Sequence, residues 1–401
     1  MRLNKETQMK KVAAFVLLLV PIASFCQIKV KGGKVPVDAL FQLAEKKALK
    51  TLAYWTDSTR MPRNIEIGET QWKGEKLTGW TVGFFPGVLW QIYGQTKNPT
   101  ILKSAKMYTE RLEPNKTVKW THDLGFMMHN SYGLGYKLTK SAAYKDVLLT
   151  TSLSLYSLYN PKVGTMKSWT WRKEWQHPTI MDNMLNLELL YWAGKNGGGE
   201  KLILAANTHA ENTAKYHFRT DGSSYHVLNY DTNNGEVLAK ITDQGFSNES
   251  TWSRGQAWAI YGFSMAFAES GNKVFYNKAV EAADYFLKNL PADTIPFWDF
   301  QAPGIPNEPK DASAAAIAAS GLLKLSQISD EDDKLKTIYF KAAKKLLIAL
   351  CGPKYLNQDV NYGSLLIKST GSKPHKSEIE VSIIYADYYF LEALSKLKSA
   401  Q

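Results

Sequence analysis

The sequence predicts an all-α fold: six helical hairpins closed into an (α/α)6 barrel, with a small β-hairpin in a loop near the active site. Three observations carry this. Apolar residues recur at helical spacing from Val37 to Leu397, with one stretch of alternating, strand-like pattern. Breakers cut that periodicity into about twelve segments, joined by alternately short and long connections. The chain has 401 residues, 44% of them hydrophobic, and no composition break marks a second domain, so one large core must be closed and repetitive. An open solenoid shares the periodicity, but its usual repeat signatures of roughly 34 to 47 residues are missing.

Taken in order, helices are expected near Val37–Asp57, Gly83–Gly94 and Ile101–Leu112, the last after Asn98-Pro99. Asp123–Leu138 and Ala142–Tyr159 follow, ended by Asn160-Pro161, then Met181–Ala193 up to the glycines at Gly197–Gly199. Glu200–Phe218, Trp252–Ser270 and, past Gly271-Asn272, Val274–Leu290 come next. Ala312–Gln327, Leu335–Leu350 (stopped by Gly352-Pro353) and Ser382–Leu397 complete the set. The one clear β signal is Ser224–Tyr230 and Glu236–Ile241 around Asp231–Gly235, a hairpin pattern.

The amino terminus reads as an address. Arg2, Lys5, Lys10 and Lys11 precede an apolar run from Val12 to Ala23, and Ser24-Phe25-Cys26 ends it with small residues where a signal peptidase cuts. The expectation is a signal peptide over 1–26, cleaved after Cys26, and an exported, periplasmic mature domain over 27–401. The run is too short for a transmembrane anchor. Acylation of Cys26 is the alternative, disfavoured by bulky Phe25. Cleavage leaves Cys351 as the one cysteine and no internal disulfide. The net charge of +12 falls to +9, because the leader removes four positive groups and Glu6. That balance suits anionic ligands, though a lysine-rich solvated surface explains most of it. No zinc-finger, RNP-type or basic heptad pattern suggests nucleic acid.

Two segments share one design, His122-Asp123 behind Thr121 and Asp182 behind His177 and Thr179. Each sets an acid just ahead of an amphipathic run, so two helix N-termini, each presenting an acid, would meet at one mouth. The structural alternative is capping: Thr179-x-x-Asp182 matches a capping box, and Asp123 suits a first turn. A capping acid stays ionised, whereas an acid walled by tryptophan near a second carboxylate has its pKa raised and donates protons at neutral pH. Arg254 and Trp258 lie four apart on one helix face, suited to hold a sugar carboxylate and stack its ring, unless Arg254 is consumed in a salt bridge. Asp311 reads as a helix N-cap. Loop aromatics Trp169, Trp171, Trp175 and Trp298, interleaved with His226 and Gln244, suggest a carbohydrate site. No metal-ligand spacing, phosphate loop or nucleophile elbow appears, so no metal or cofactor is expected.

With these residues in view, the chain resembles the unsaturated glucuronyl hydrolases, glycoside hydrolase family 88. The resemblance runs in order through Trp80-Thr81-x-Gly83-Phe84-x-Pro86-Gly87, His122-Asp123-Leu124-Gly125-Phe126, Met181-Asp182-Asn183-Met184, Ser223-Ser224-Tyr225-His226, Trp252-Ser253-Arg254-Gly255-Gln256-Ala257-Trp258 and the segment Tyr385–Leu391. It implies an (α/α)6 barrel and a metal-independent, exo-acting hydrolase. The implied substrate is an oligosaccharide, sulfated or not, ending in the 4,5-unsaturated uronic acid that polysaccharide lyases leave. By resemblance Asp182 is the general acid/base, protonating C4 while water adds at C5, and Asp123 assists. His226, Gln244, Arg254, Trp258 and Trp80 would line the unsaturated-sugar subsite, and Trp169, with Trp171 and Trp175 as competitors, would stack on sugar. The chain departs from the family pattern at Asp243, where histidine precedes the glutamine.

Two rivals remain at this point. An unsaturated rhamnogalacturonyl hydrolase would act on pectin fragments by similar chemistry, and the His122–Phe126 and Asp182-Asn183 motifs argue against it. A periplasmic oligosaccharide-binding protein would keep the acids as caps and show no turnover.

Overall fold

Twelve α-helices follow one another in the computed structural model, which describes residues 28–329 and 332–400. The leader expected over 1–26 lies outside the described residues. The helices are α1 (Val37–Tyr54), α2 (Phe84–Thr96), α3 (Pro99–Glu110), α4 (Leu134–Thr139), α5 (Ala142–Tyr156), α6 (Asn183–Ala193), α7 (Glu200–Tyr216), α8 (Ser253–Ser270), α9 (Lys273–Lys288), α10 (Ala312–Ile328), α11 (Asp333–Leu350) and α12 (Ile384–Ser399). Each expected helix is present. The one expected over Asp123–Leu138 begins as a π-helix, Gly125–Gly133, that runs on into α4.

Helix composition sorts the elements into two rings. α9 buries a single stripe, Phe275, Ala279, Ala282, Ala283, Tyr285 and Phe286, as a surface helix does. α10, by contrast, is buried on every side from Ala312 to Leu323, and α8 from Ser253 to Ala266. Only an inner position accommodates apolar residues all round. The even-numbered helices form that inner ring: α2 packs on the π-helix, that segment on α6, α6 on α8, α8 on α10, α10 on α12, and α12 returns to α2. The ring is closed, which rules out the solenoid.

Chain direction now decides where chemistry can gather. The links at 97–98, 140–141, 194–199 and 271–272 carry the chain from an inner to an outer helix and are short. The returns at 55–83, 111–124, 157–182, 217–252, 289–311 and 351–383 are long, and every one leads into the N-terminus of an inner helix. All long loops therefore crowd one mouth of the barrel, where the inner-helix dipoles present their positive ends.

The loops carry more strand than the sequence suggests. Besides the expected hairpin, now β6 (Val227–Tyr230) and β7 (Val237–Ile241), there are β1 (Arg60–Ile65), β2 (Lys73–Lys76), β3 (Tyr159–Asn160), β4 (Thr165–Met166), β5 (His177–Ile180) and β8 (Ser382–Ile383). They pair antiparallel as β2-β1-β8, β3-β4 and β5-β6-β7. Strands of two to six residues, one containing Pro178, are too short to show alternation. Their pairing is long-range and invisible to a local pattern. The sheet β5-β6-β7 sets His177 opposite Tyr230 and Ile180 opposite Val227, and so delivers Asp182 and His226 to the same edge of the mouth.

Candidate active site

Asp123 and Asp182 stand at the starts of adjacent inner helices. What lets those starts approach is Gly125: a Cβ there would sit 2.6 Å from the Asn186 Cα. Asn186 then ties them together. Its Oδ1 accepts from the Phe126 backbone N–H at 2.9 Å, and its Nδ2 donates to the Asp182 carbonyl at 3.3 Å. Asn183 holds the loop before it, accepting from the Ser168 hydroxyl at 2.7 Å and donating to the Met166 carbonyl at 3.0 Å.

Neither acid is a cap. Asp182 occupies the N-cap position of α6 but makes no side-chain capping bond, so the capping box does not form. Elsewhere capping follows the rules: Asn98, Ser141, Asn272, Asp311 and Asp332 each accept from first-turn N–H groups. Asp182 is buried, and its Oδ2 has no protein partner. Burial pushes its carboxyl up to about 7; the nearby Arg254 opposes this and the Asp123 charge adds to it. Trp258 also favours the ionised form, although its Nε1 reaches hydrogen-bond geometry with no partner.

His226 and His122 back the two acids differently. The His226 Nδ1 accepts from the Asp243 and Gln244 backbone N–H groups at 3.2 and 3.3 Å. Its proton therefore sits on Nε2, which faces Asp182 Oδ2 at 3.8 Å. Burial holds this ring neutral, well below its ordinary pKa. His122 is turned the other way: its Nδ1 donates to the Ser168 carbonyl at 3.1 Å, leaving the Nε2 lone pair 3.2 Å from Asp123 Oδ1. The other carboxylate oxygen of Asp123 accepts from the Thr121 hydroxyl at 2.8 Å.

Arg254 is buried and largely spoken for. It pairs with Asp311 at 2.8 Å and donates to the Thr370 and Gly371 carbonyls, each at 2.6 Å. The salt-bridge alternative is thus realised, and Asp311 both caps α10 and neutralises the arginine. Nε alone has no partner. The guanidinium lies 4.4 Å over the Trp252 ring rather than on Trp258. Gln244 donates to the same Gly371 carbonyl at 3.1 Å. That carbonyl is placed by a hairpin in which the Gly371 N–H donates to the Glu378 carbonyl at 2.7 Å, while Arg63 grips the Glu378 carboxylate at 2.8 and 3.0 Å.

These groups border a cavity of about 340 Å³ lined by Trp80, His122, Asp123, Trp169, Asp182, Gln244 and Arg254 among others. Trp258 and His226 stand behind the wall; Trp258 packs at a tilt on Phe126 at 5.2 Å, and His226 likewise on Trp252 at 4.5 Å. Trp80 leans on Tyr385 at 5.2 Å. Sequence reasoning missed several lining residues: Glu75, Trp120, Arg172 and Asp243. Trp120 directly precedes the His122-Asp123 motif, and Arg172 sits among the loop tryptophans, so position alone was a usable signal for both. The buried atoms His122 Nε2, Asp182 Oδ2, His226 Nε2, Arg254 Nε, Trp258 Nε1 and the Tyr385 hydroxyl all lack protein partners. Unpaired buried polar atoms are costly, and their gathering here marks a surface built to meet a ligand. Among the described residues, no group of three or more His, Cys, Asp or Glu is placed to hold a metal ion, and no helix is long and apolar enough to cross a membrane.

No protein-family model matches the chain. Whole-chain comparisons are informative instead. The sequence is 38% identical over 379 residues to the unsaturated glucuronyl hydrolase of Formosa agariphila, covering 92% of this chain and 94% of that one. It is 29% identical over 323 residues to the unsaturated chondroitin disaccharide hydrolase of Streptococcus pneumoniae, covering 79% of this chain and 81% of that one. The crystal structure of an unsaturated glucuronyl hydrolase specific for heparin superposes with a TM-score of 0.86 at 39% identity, over 91% of this chain and 97% of that one. With likeness sustained around the whole barrel in both sequence and fold, the chain belongs to the unsaturated glucuronyl hydrolases.

Proposed function

We propose that this glycoside hydrolase removes a terminal 4,5-unsaturated uronic acid from lyase-generated oligosaccharides by hydrating its vinyl ether. The observation that carries the reading is the buried, unpaired Asp182 carboxyl, pushed up to about 7 beside a second carboxylate. At neutral pH such a group holds a proton to give and, once ionised, accepts one back. Asp182 delivers its proton to C4, and the C4=C5 electrons form the new C–H bond, leaving an oxocarbenium centre at C5. Asp123, on the adjacent helix start, stabilises that charge. Water adds at C5 and its proton returns to Asp182. The resulting hemiketal opens with cleavage of the C5–O5 bond, and the hemiacetal left at C1 expels the remaining saccharide. One water is consumed and the acid is regenerated.

The anionic sugar suits the mouth. α2, α6, α8 and α12 all begin there without side-chain caps, so their positive dipole ends face the ligand. Arg254, tied to Asp311, contributes Nε and local positive potential. Gln244 and Trp80 complete the subsite, with Trp169 stacking on the next sugar and His226 and Trp258 buttressing from behind. Sulfated glycosaminoglycan fragments are the favoured source. The basic chain supports this, as does likeness to enzymes acting on heparin and chondroitin fragments. The charged and then apolar sequence over 1–26, read as a leader, supports export to the periplasm.

Purified protein incubated with unsaturated disaccharides from heparin, chondroitin, hyaluronan, ulvan and rhamnogalacturonan lyase digests tests the reading. Loss of the near-ultraviolet absorbance of C4=C5 with the uronic acid substrates is expected, fastest with sulfated members. Turnover of the rhamnogalacturonan product alone would move the enzyme to pectin, and no turnover from folded protein would refute hydration.

A further inference from the structure

Two tryptophans stand apart from the rest. Trp120 and Trp171 are 40% and 49% exposed, while the other described tryptophans are buried or half-buried. Their rings meet edge to face with centroids 5.6 Å apart. They come from different connections, 111–124 and 157–182, yet are locked together. The Thr170 hydroxyl donates to the Trp120 carbonyl at 2.8 Å, and Thr121 bridges to Trp169. Both line the same cavity as the two acids.

The aromatic wall is graded with depth. Trp169 lies inside, stacked on Trp175 at 5.8 Å and edge-on to His226 at 6.0 Å. The Arg172 guanidinium covers Trp175 at 4.3 Å and pairs with Asp243 at 2.7 Å, closing that inner layer. Outside it, Trp120 and Trp171 keep apolar faces in solvent, where neither the fold nor the chemistry at C4 and C5 requires an indole. Exposed Lys119 and Lys173 flank them in the chain. An occupant of this rim must be continuous with a ligand in the cavity and present flat apolar faces, and the two lysines favour an anionic one.

We propose that Trp120 and Trp171 form a distal subsite for the acidic sugars beyond the disaccharide unit, so that the enzyme prefers lyase products longer than disaccharides. The proposal rests on the glycan-cleaving reading above and adds chain length to it. The test compares an unsaturated tetrasaccharide with the disaccharide of the same polymer. The wild-type ratio of their kcat/KM values should favour the tetrasaccharide by about tenfold, expressed in KM, the size expected of aromatic stacking. In Trp120→Ala/Trp171→Ala that ratio should fall toward one, and Trp120→Phe/Trp171→Phe should restore part of it. A ratio that survives the alanine pair, or an equal fall for both substrates, would overturn the subsite. Fluorescence of Asp182→Asn protein titrated with the tetrasaccharide separates this from the parent reading. If wild type turns over neither substrate, the hydration reading fails. Saturable quenching that depends on Trp120 and Trp171 would still support the platform, and its absence would refute it.

Discussion

A carboxyl that is both buried and unpaired is expensive, and a folded protein keeps one where it has work to do. Asp182 meets both conditions, and its cost makes a second signature available besides activity. Because its folded pKa is raised to about 7 from 3.8, its contribution to stability is complete below the unfolded value and is lost as pH rises through about 7. Asp182→Asn should therefore lower kcat by roughly a thousandfold, as loss of a general acid does. It should also raise the melting temperature at pH 8 by more than at pH 5, which calorimetry checks directly. Asp182, Asp123 and Arg254 were legible in the sequence because motif and helix-start position coincide. The fate of Arg254 was not, since Asp311 and the Gly371 carbonyl reach it from 57 and 117 residues away. Asn186, which fastens the two acids, looked like one more residue of an amphipathic helix.

The elements matter through where they begin. Long returns into every inner helix place the long loops on one face, and the close contact at Gly125 sets the spacing of the two acid-bearing starts. An alanine there must displace the Asn186 backbone. Gly125→Ala should cost about 1–3 kcal/mol of stability by overpacking. Activity should fall further than stability alone explains, read from denaturant unfolding beside initial rates. The hairpin carrying Gly371 is held by Arg63 and Glu378, and Glu378 sits in a left-handed conformation at φ 54°. Glu378→Gln, which halves that charge-assisted grip, should raise KM by roughly threefold to tenfold with kcat little changed. The helices themselves were readable one by one, since each carries enough turns to show its period. The sheets β2-β1-β8 and β5-β6-β7 were not, because their register comes from partners distant in the chain.

At the scale of the molecule, closure of the ring seals a core that runs from α1 to α12, with no disulfide among the described residues and Cys351 buried within it. The same sealing traps histidines. His122, His177, His209, His217 and His226 are all buried with pKa values lowered by burial, His177 and His217 to about 4. Each contributes stability that is present above the unfolded value of 6.5 and lost as pH falls through its lowered folded value. Asp182, Asp299 and Asp387 act in the opposite sense, being raised by burial. The histidines, joined by Glu188, whose carboxyl is held down to about 2, leave the unfolded chain binding more protons. Stability should fall as pH drops from 6.5 toward 4, as urea midpoints across that range would record. The barrel as a whole was visible in the sequence from twelve periodic stretches and alternating connections. Its closure needed α12 against α2, a contact no local pattern contains.

The proposed chemistry turns on a protonated Asp182 giving its proton to C4 of the C4=C5 bond. The most direct test follows the absorbance of that bond in single turnovers of an unsaturated disaccharide from pH 5 to pH 9, with wild type and Asp182→Asn side by side. The wild-type rate should hold to about pH 7 and then drop about tenfold per unit, and the variant should be slow throughout. A rate that persists to pH 9, or a released sugar that keeps its double bond, would contradict it.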